Sequence, residues 1–366
     1  MRLNLILKII LTGIMLSGCT TWRADPHTEP AAAGFGTQTA ENSLPKPTAD
    51  LRALGMVTIL PRDAVPAIDQ PVFLSADEAD REYAPYELVI GVEINGEAKA
   101  YSAPFLSRHE IVNDSVGGAA IAVTWCPVCF TALVYDRTIN DEEFSFGVSG
   151  KLMHNGLVMY DRQTDSLWAQ VLGEAVSGPM VGTRLEFIPA FQTTWEDWKA
   201  THPDTTALEK GYFGDYDPYL NYYEFDYAGV VSPNRVSDRL GQKEFVIGVE
   251  HLGDTVAFPF TVMSLEPIVN YYVGDTPILA VFNDQTATGL AYQRGLADGS
   301  VLSFKIVEGM TIVDQETGST WNGITGEAIS GPLAGESLIR VKSTLAFWFG
   351  WYDFYPDTDV YGVPEE

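Results

Sequence analysis

Short runs of apolar and β-branched residues alternate with turn residues along most of the chain. Three of these runs occupy residues 87–93, 119–125 and 131–135, and Gly, Asn or Asp residues separate them. The dipeptide Asn95-Gly96 follows the first run, and it favours the left-handed dihedral angles of a tight hairpin turn. Runs of this length and composition predict β-strands. We therefore predict a mainly β fold with a minor α-helical part.

The clearest helical pattern lies between residues 193 and 201. Trp195 and Trp198 are three positions apart, which places them on one face of a helix, and Pro203 ends the pattern. A later stretch, residues 345–355, has the same tryptophan spacing but is more aromatic. We predict that this second stretch is a helix or strand packed between two halves of the molecule.

Blocks of sequence recur in the same order in the two halves of the chain. The recurring pairs are residues 89–93 with 246–250, 111–113 with 268–270, 135–137 with 292–294, 173–179 with 326–332, and 195–205 with 348–358. Five ordered matches indicate a tandem duplication. We assign residues 67–210 to repeat 1 and residues 211–366 to repeat 2, and expect two similar β-rich modules packed face to face.

The N-terminal residues 1–19 have the features of an export signal. Arg2 and Lys8 make the start basic, and the following apolar run is too short to span a bilayer. Leu16-Ser17-Gly18-Cys19 resembles the lipobox of bacterial lipoproteins. That resemblance implies cleavage before Cys19 and lipidation of Cys19, with an ordinary signal peptide as the alternative. Thr20 after the cysteine suggests sorting to the outer membrane.

The residues after the signal predict a tether and an acidic body. Residues 20–66 are rich in Ala, Thr and Pro, which predicts a flexible linker. The chain has 22 basic residues against 49 acidic ones, a net charge of −27. Such a surface repels nucleic acid, so we exclude nucleic acid as a partner. We expect a periplasm-facing envelope protein held at the membrane by the lipid on Cys19, with its protein partner left open.

The motif Cys126-Pro127-Val128-Cys129 contains every cysteine other than Cys19. A pair with this spacing forms a small disulfide ring, offers two thiolates to a soft metal, or attacks another disulfide. In repeat 2 the aligned residues are 284–287, which include no cysteine. The shared fold therefore does not require the cysteines, and repeat 1 is predicted to carry a site that repeat 2 lacks.

Two histidines of repeat 1 are likewise missing from repeat 2. His109 aligns with Glu266, and His154 lies in the segment 151–155, which has no counterpart. Our leading hypothesis is a soft-metal site for Cu(I) or zinc. Its ligands would be Cys126, Cys129, His109 and His154, and Glu110 and Asp114 would orient the ring of His109.

Two alternatives remain open. The first is a thiol-disulfide oxidoreductase in which Cys126 attacks and Cys129 resolves. Residues 130–135 are too short and too β-branched for the long helix of a thioredoxin fold, so this chemistry would use another fold. The second is a non-catalytic envelope interaction module with a structural disulfide and an aromatic surface at residues 345–355. The sequence does not decide whether the protein is an enzyme.

Four motifs together resemble those of one known family. They are the runs at residues 108–114, 122–129, 146–150 and 159–168, which include His-Glu-Ile-Val-Asn-Asp and Thr-Trp-Cys-Pro-Val-Cys. In these runs the chain resembles the bacterial and archaeal family of unknown function DUF3179, from about residue 67 to residue 361. The resemblance implies an exported or lipid-anchored protein and supports a functional role for His109, Cys126 and Cys129, but it supplies no reaction.

Overall fold

A computed structural model describes residues 55–231 and 235–364. The elements of the first half are β1 Met56–Thr58, β2 Phe73–Ser75, α1 Ala76–Ala79, β3 Leu88–Ile94, β4 Glu97–Ser102, α2 Ala103–Leu106, β5 Ile111–Val116, β6 Ala119–Cys126, β7 Thr131–Asp136, β8 Thr138–Ile139, β9 Glu142–Glu143, β10 Phe146–Met153, β11 Gly156–Asp161, β12 Leu167–Ala169, β13 Glu174–Ser177, β14 Phe187–Ile188, β15 Phe191–Thr194, α3 Trp195–Thr201, β16 Thr206–Leu208 and α4 Leu220–Glu224. Strands dominate, which confirms the predicted mainly β class.

The second half follows the same order of elements. These are β17 Phe245–His251, β18 Asp254–Pro259, α5 Phe260–Met263, β19 Ile268–Val273, β20 Thr276–Asn283, β21 Thr288–Gln293, β22 Phe304–Glu308, β23 Thr311–Asp314, β24 Thr320–Asn322, β25 Ala328–Ser330, β26 Ile339–Arg340, β27 Ser343–Phe347, α6 Trp348–Phe354 and β28 Asp359–Val360. The predicted strands at residues 87–93, 119–125 and 131–135 correspond to β3, β6 and β7, so these predictions are confirmed.

Each main sheet of the first half has a counterpart in the second half. The sheet β15-β3-β4-β16-β2 corresponds to β27-β17-β18-β28, and β14-β7-β6-β5 corresponds to β26-β21-β20-β19. The sheet β10-β11-β12-β13, with β1 added at its edge, corresponds to β22-β23-β24-β25. The strand pairing therefore repeats along the chain as the recurring sequence blocks do.

Two glycines show why the recurring sequence blocks are needed. A Cβ atom on Gly91 would lie 2.3 Å from the ring of Trp198, and a Cβ atom on Gly248 would lie 2.2 Å from the ring of Trp351. In each half the tryptophan of a short helix therefore packs directly on a strand backbone, which only glycine permits.

Helix α3 begins after Thr194, whose side chain accepts a hydrogen bond from Asp197 N. The helix predicted over residues 193–201 is therefore confirmed.

The two halves contact each other next to the cysteine motif. Strand β27 of the second half lies against β7 of the first, and Thr344 Oγ1 donates a hydrogen bond to Ala132 O at 3.0 Å. At the end of β27, Phe347 N donates to Cys129 O at 2.9 Å. The largest buried apolar cluster includes residues from both halves, and both cysteines belong to it.

The folded body begins before residue 67. Strand β1 pairs antiparallel with β10, with Met56 opposite Met153. The predicted linker 20–66 therefore ends before Met56 rather than at residue 66, because the backbone of residues 56–58 completes a sheet edge. The signal segment, Cys19 and linker residues 20–54 lie outside the described residues. Among the described helices, none has the length and apolar character needed to cross a membrane.

Candidate functional site

The cysteine motif forms the turn of a β-hairpin. Strand β6 ends at Cys126, strand β7 begins at Thr131, and these two residues are paired across the hairpin. Phe130 has a φ of 58°, a left-handed backbone conformation that residues other than glycine rarely adopt. Cys126 is 2% exposed and Cys129 is fully buried. The motif therefore lies between two strands, and not at the strand-to-helix junction of a thioredoxin fold.

A second hairpin turn supplies a shared acceptor for both thiols. His154 and Asn155, between β10 and β11, have φ values of 50° and 69°. The Asn155 carbonyl oxygen lies 3.2 Å from Cys129 Sγ and 3.7 Å from Cys126 Sγ, within hydrogen-bonding distance of either thiol. The two sulfur atoms thus converge on one backbone oxygen, and both cysteines are free thiols.

The two thiols differ in acidity. A hydrogen bond from the Cys129 thiol lowers the pKa of Cys126, and backbone N–H groups of Cys129, Leu157 and Val128 lower it further. The same thiol–thiol hydrogen bond, together with burial, raises the pKa of Cys129 well above its ordinary value. Donors directed at a sulfur atom stabilise its ionised form. The hydrogen bond between the two thiols therefore makes Cys126 the more acidic of the pair, although burial opposes its ionisation.

The carboxyl group of Glu110 interacts electrostatically with Cys126. Its backbone has a φ of 59°, and its carbonyl accepts a hydrogen bond from Trp125 N at 2.8 Å. Burial of the carboxyl, with a smaller effect from the negative charge of Cys126, raises the pKa of Glu110 to about 8. At neutral pH this carboxyl group is therefore mostly protonated.

Helix α6 of repeat 2 covers one side of the turn. A Cβ atom on Gly350 would lie 2.9 Å from Cys129 Cβ and 3.0 Å from Cys129 Sγ. The buried carboxylate of Asp353, on the same helix, helps to raise the pKa of Cys129. Gly350 is therefore the residue that lets the helix approach the sulfur this closely.

The segment between the repeats, residues 209–231, covers the other side, and we name it the connector. Tyr222 of α4 donates its hydroxyl hydrogen to Val128 O at 2.9 Å. Val230 N and Val231 N donate to Asn155 Oδ1 at 2.9 and 2.8 Å. Burial raises the pKa of Tyr222, and the nearby charges of Cys129 and Cys126 add to this. The connector thus bonds to both turns that form the dithiol site.

The predicted histidine ligands have other neighbours. His109 Nδ1 lies 2.9 Å from Pro66 O, and its ring packs on Phe105. His154 is buried with its ring against Phe354, and burial lowers its pKa to about 4. In the described part of the chain, no three or more His, Cys, Asp and Glu side chains are grouped so that they could hold a metal ion.

The two predicted orienting residues separate in the structure. Asp114 Oδ2 accepts hydrogen bonds from Tyr101 at 2.6 Å and from Lys99 at 3.1 Å, so its carboxylate belongs to a different cluster. The contact with Pro66 O, rather than Asp114, orients His109. The Glu110 carboxyl group, predicted to orient His109, interacts electrostatically with Cys126 instead.

The equivalent turn of repeat 2 is displaced by one residue from the sequence alignment. Strands β6 and β20 both have eight residues and end at Cys126 and Asn283. Residues 283–286, rather than 284–287, are therefore the counterparts of the cysteine motif. They contain no thiol either, so the contrast between the repeats is unchanged.

Residues 345–355 do not form an aromatic surface, so that part of the interaction-module hypothesis is wrong. Phe347 and Trp348 are 1% exposed, and Trp351 is 2% exposed. These rings are buried because α6 packs on β17 and on the cysteine turn. The stretch is a strand followed by a helix at the contact between the halves.

Three residues of the site were not identified from the sequence. Asn155 precedes Gly156, and the same Asn-Gly signal was recognised at Asn95-Gly96, so this turn was open to prediction. Gly350 occupies the position of Asp197 in repeat 1, a difference that a full comparison of the repeats exposes. Tyr222 lies in the connector, where no repeat pattern guides the choice.

The chain belongs to a family of proteins of unknown function, DUF3179, whose model matches residues 62–358. This match confirms the resemblance drawn from the four motifs. No match was found among curated proteins or among solved structures.

Proposed function

We propose that repeat 1 carries out thiol-disulfide exchange through Cys126 and Cys129. The observation that carries this proposal is the convergence of two free thiols on one oxygen, with Asn155 O 3.2 Å from Cys129 Sγ and 3.7 Å from Cys126 Sγ. The hydrogen bond between the thiols, which lowers the pKa of Cys126 and raises that of Cys129, agrees with it. Exchange requires one thiolate that attacks and one thiol that stays protonated until it resolves the intermediate. The carboxyl group of Glu110 provides a site for a proton beside the attacking sulfur.

In the first step the Cys126 thiolate attacks one sulfur of a substrate disulfide. A bond forms between Cys126 Sγ and that sulfur, and the substrate S–S bond breaks. The other substrate sulfur leaves as a thiolate and takes the proton of the neutral Glu110 carboxyl. The products are a mixed disulfide on Cys126 and one substrate thiol, with Glu110 ionised.

In the second step Cys129 resolves the mixed disulfide. Its thiol proton returns to Glu110, and its sulfur attacks Cys126 Sγ, releasing the second substrate sulfur, which takes a proton from water. The protein dithiol is oxidised to the Cys126–Cys129 disulfide, and the substrate disulfide is reduced to two thiols. The two electrons pass from protein to substrate, and the reverse direction oxidises a substrate dithiol.

Access to Cys126 requires the connector to move. Cys126 is 2% exposed, and Tyr222 lies over the turn. Beyond the buried rings of Tyr222 and Tyr223, the connector leaves Phe225, Tyr227 and Val230 exposed. Segments with few buried contacts open locally at a lower free energy than the rest of a fold. We infer that substrate reaches Cys126 when the connector opens.

Trapping of a mixed disulfide tests the proposal. The variant Cys129→Ser is incubated with glutathione disulfide and analysed by intact mass, and we expect one glutathione adduct located on Cys126. Cys126→Ser should give no stable adduct, because the remaining thiol, Cys129, does not have a lowered pKa. Thr286→Ser, in the equivalent turn of repeat 2, is the matched control and should behave as wild type. A Cys129→Ser variant that stays unmodified, or an oxidised wild type that resists millimolar dithiothreitol, contradicts the proposal.

Cu(I) binding by the same two sulfurs is a second candidate. It is favoured by the convergence of both sulfur atoms on Asn155 O, because two thiolates suit a soft monovalent ion. Zinc requires four ligands, and the described residues gather no third donor. The mass of native protein before and after chelation and reduction separates the two candidates. A stoichiometric copper ion that Cys126→Ser abolishes supports the metal, and a reversible loss of two hydrogens supports exchange.

We further propose that the protein is a lipid-anchored envelope protein that faces the periplasm, with the outer membrane as its location. This rests on the lipobox-like sequence ending at Cys19. Metabolic labelling with a palmitate analogue should mark wild type and not Cys19→Ser, and Cys19→Ser should move to the soluble fraction of the envelope. Equal labelling of both proteins contradicts the anchor.

A further inference from the structure

The connector, residues 209–231, exposes large apolar side chains to solvent. Six of its residues are 49–66% exposed: Phe213, Tyr216, Leu220, Phe225, Tyr227 and Val230. Twenty large apolar residues of the described chain are exposed in total, so nearly a third of them lie in this one short segment. Single apolar residues are normal on a protein surface, but a concentration of them marks an interaction site.

Two of these rings are one contact away from the cysteine turn. Phe225 and Tyr227 stack with their ring centroids 5.8 Å apart, and Tyr227 packs against Tyr222 at 5.6 Å. Tyr222 is buried and donates its hydroxyl hydrogen to Val128 O, within the cysteine motif. A molecule bound to the exposed rings would therefore lie over the segment that covers Cys126.

The charged side chains that the connector exposes are all acidic. They belong to Glu209, Asp215, Glu224 and Asp226. The basic residue of this segment, Lys210, is buried in an ion pair with Glu87. Residues 224–227 read Glu-Phe-Asp-Tyr, so carboxylates and aromatic rings alternate on the same stretch of surface.

Two basic side chains from outside the connector bind to its backbone. Arg108 Nη2 donates to Tyr216 O at 3.0 Å, and Lys243 Nζ donates to Phe225 O at 2.8 Å. Both cations are half-buried and hold the connector on the body of the protein. The carboxylates are therefore the charged groups that the connector presents to a partner.

From the exposed rings, their position and the acidic charges, we propose that the outer face of the connector binds a polypeptide segment with basic and apolar side chains. Aromatic faces accept both apolar groups and cations, and carboxylates pair with Lys and Arg. The net charge of −27 disfavours a second copy of this chain or an anionic membrane as the occupant. Resting on the proposed function, this inference names the substrate class as a basic polypeptide that carries a disulfide.

Binding of a cysteine-free peptide tests docking separately from exchange. The probe is a fluorescein-labelled peptide, Gly-Lys-Phe-Ser-Arg-Trp-Gly-Lys-Leu-Ser, added to the full-length Cys19→Ser protein at low ionic strength and followed by fluorescence anisotropy. Binding should be saturable with a Kd of about 100 μM or lower. A matched peptide with Glu in place of Lys and Arg should bind at least about tenfold more weakly.

Removal of the exposed rings should weaken binding. Phe225→Ser with Tyr227→Ser should raise the Kd at least about fivefold, because aromatic side chains contribute most to such contacts. Leu265→Ser with Ile329→Ser removes two exposed apolar side chains outside the connector. This matched control should bind as the parent protein does. All four residues are exposed, so the variants should fold.

Removal of the connector's carboxylates tests the charge complementarity. Glu224→Gln with Asp226→Asn should raise the Kd and reduce its dependence on salt concentration. Asp275→Asn with Glu308→Gln removes an equal charge from exposed positions of repeat 2 and should keep the salt dependence of the parent. Equal salt dependence in the two double variants would contradict a role for the connector's acidic residues.

Three further results would overturn the proposal. The first is the absence of saturable peptide binding at about 1 mM protein. The second is an unchanged Kd in the variant without the two rings. The third is binding of the parent protein to phosphatidylcholine vesicles that this variant loses, since the face would then bind a membrane. A glutathione adduct on Cys129→Ser without peptide binding would remove the docking and leave the exchange, and peptide binding without the adduct would do the reverse.

Discussion

The two equivalent hairpin turns of the repeats share a backbone and differ in chemistry. Phe130 and Ala287, the last residues of the turns, have φ values of 58° and 53°. The flanking strands have the same lengths, eight and six residues, in both repeats. Yet the cysteine turn is almost entirely buried, whereas Asp284 and Gln285 are exposed. The difference between the two turns therefore comes from the residues that surround the cysteine turn and not from the backbone of the turn.

Three surrounding features distinguish repeat 1. Its strands β10 and β11 have eight and six residues, against five and four in the equivalent β22 and β23, and the longer hairpin brings Asn155 to the thiols. The connector adds Tyr222. Helix α6 adds Gly350, which allows it to approach Cys129. In repeat 2, Asn283 Oδ1 instead accepts a hydrogen bond from Gln285 N, a local turn interaction.

The largest effect is expected from moving the cysteines into repeat 2. Asn283→Cys with Thr286→Cys, in a Cys126→Ser and Cys129→Ser background, should lack the exchange proposed for wild type. The moved pair lacks Glu110 and Asn155, so its first thiol should titrate near the ordinary pKa of about 8.5. Turnover of a disulfide substrate and thiolate absorbance measure both properties. Wild-type turnover by the moved pair would show that the turn alone is sufficient.

The next effect concerns the carboxyl group that repeat 2 lacks, since Pro267 occupies the position of Glu110. Glu110→Gln should slow exchange by about 10- to 100-fold. Folding should also respond, because the pKa of Glu110 is raised to about 8. Between its ordinary pKa and pH 8 the folded state binds more proton than the unfolded state, so wild-type stability falls as pH rises.

Glu110→Gln should remove that part of the pH dependence, measured by urea unfolding at pH 5, 7 and 9. The exposed Glu142 provides a matched control, and Glu142→Gln should keep both the rate and the wild-type pH profile. If Glu110→Gln kept the wild-type pH profile, the proton on the Glu110 carboxyl group would not take part in this chemistry.

A smaller effect is expected from Gly350→Ala. The added methyl group would meet Cys129 at 2.9 Å, so the helix or the turn must shift, at a cost of about 1–3 kcal/mol in the free energy of unfolding. Gly295→Ala is the control, because its nearest neighbour is Pro277 Cγ at 3.6 Å, and it should stay within about 0.5 kcal/mol of wild type. Equal stability of the two variants would mean that α6 does not press on the cysteine turn.

The smallest effect concerns His154, whose pKa burial lowers to about 4. Between pH 6.5 and 4 the unfolded state binds a proton that the folded state does not, so wild-type stability falls as pH falls. The loss approaches about 1.4 kcal/mol per pH unit within this window. His154→Asn, which tolerates the left-handed turn, should flatten this slope in urea unfolding. Parallel slopes for both proteins would contradict the assignment.

Much of the fold was predictable because the duplication supplies an internal comparison. Strands β3, β6 and β7 and helix α3 follow from apolar runs, turn residues and tryptophan spacing. The edge strand β1 was missed because three residues such as Met56–Thr58 carry too little pattern to separate a strand from a linker. Its pairing with β10 is a long-range contact that no local propensity encodes.

The site was predictable only in part. The absence of Cys126 and Cys129 from repeat 2 identified them from the sequence alone. The electrostatic interaction of Glu110 with Cys126 was not predicted, because Glu110 has a left-handed backbone that no local pattern predicts for a glutamate. The ligand role of His109 stays a prediction, and sequence neighbourhood did not reveal the contact of its ring with Pro66 O.

The burial of both sulfur atoms under the connector turns the thiols into reporters of an internal motion. A thiol that is 2% exposed or less reacts with an alkylating reagent only during excursions of the segment above it. The ratio of the alkylation rate of a model thiol to that of Cys126 is therefore a protection factor for the connector. The segment that joins the two halves thus also sets how long a reduced dithiol survives in the presence of oxidising solutes.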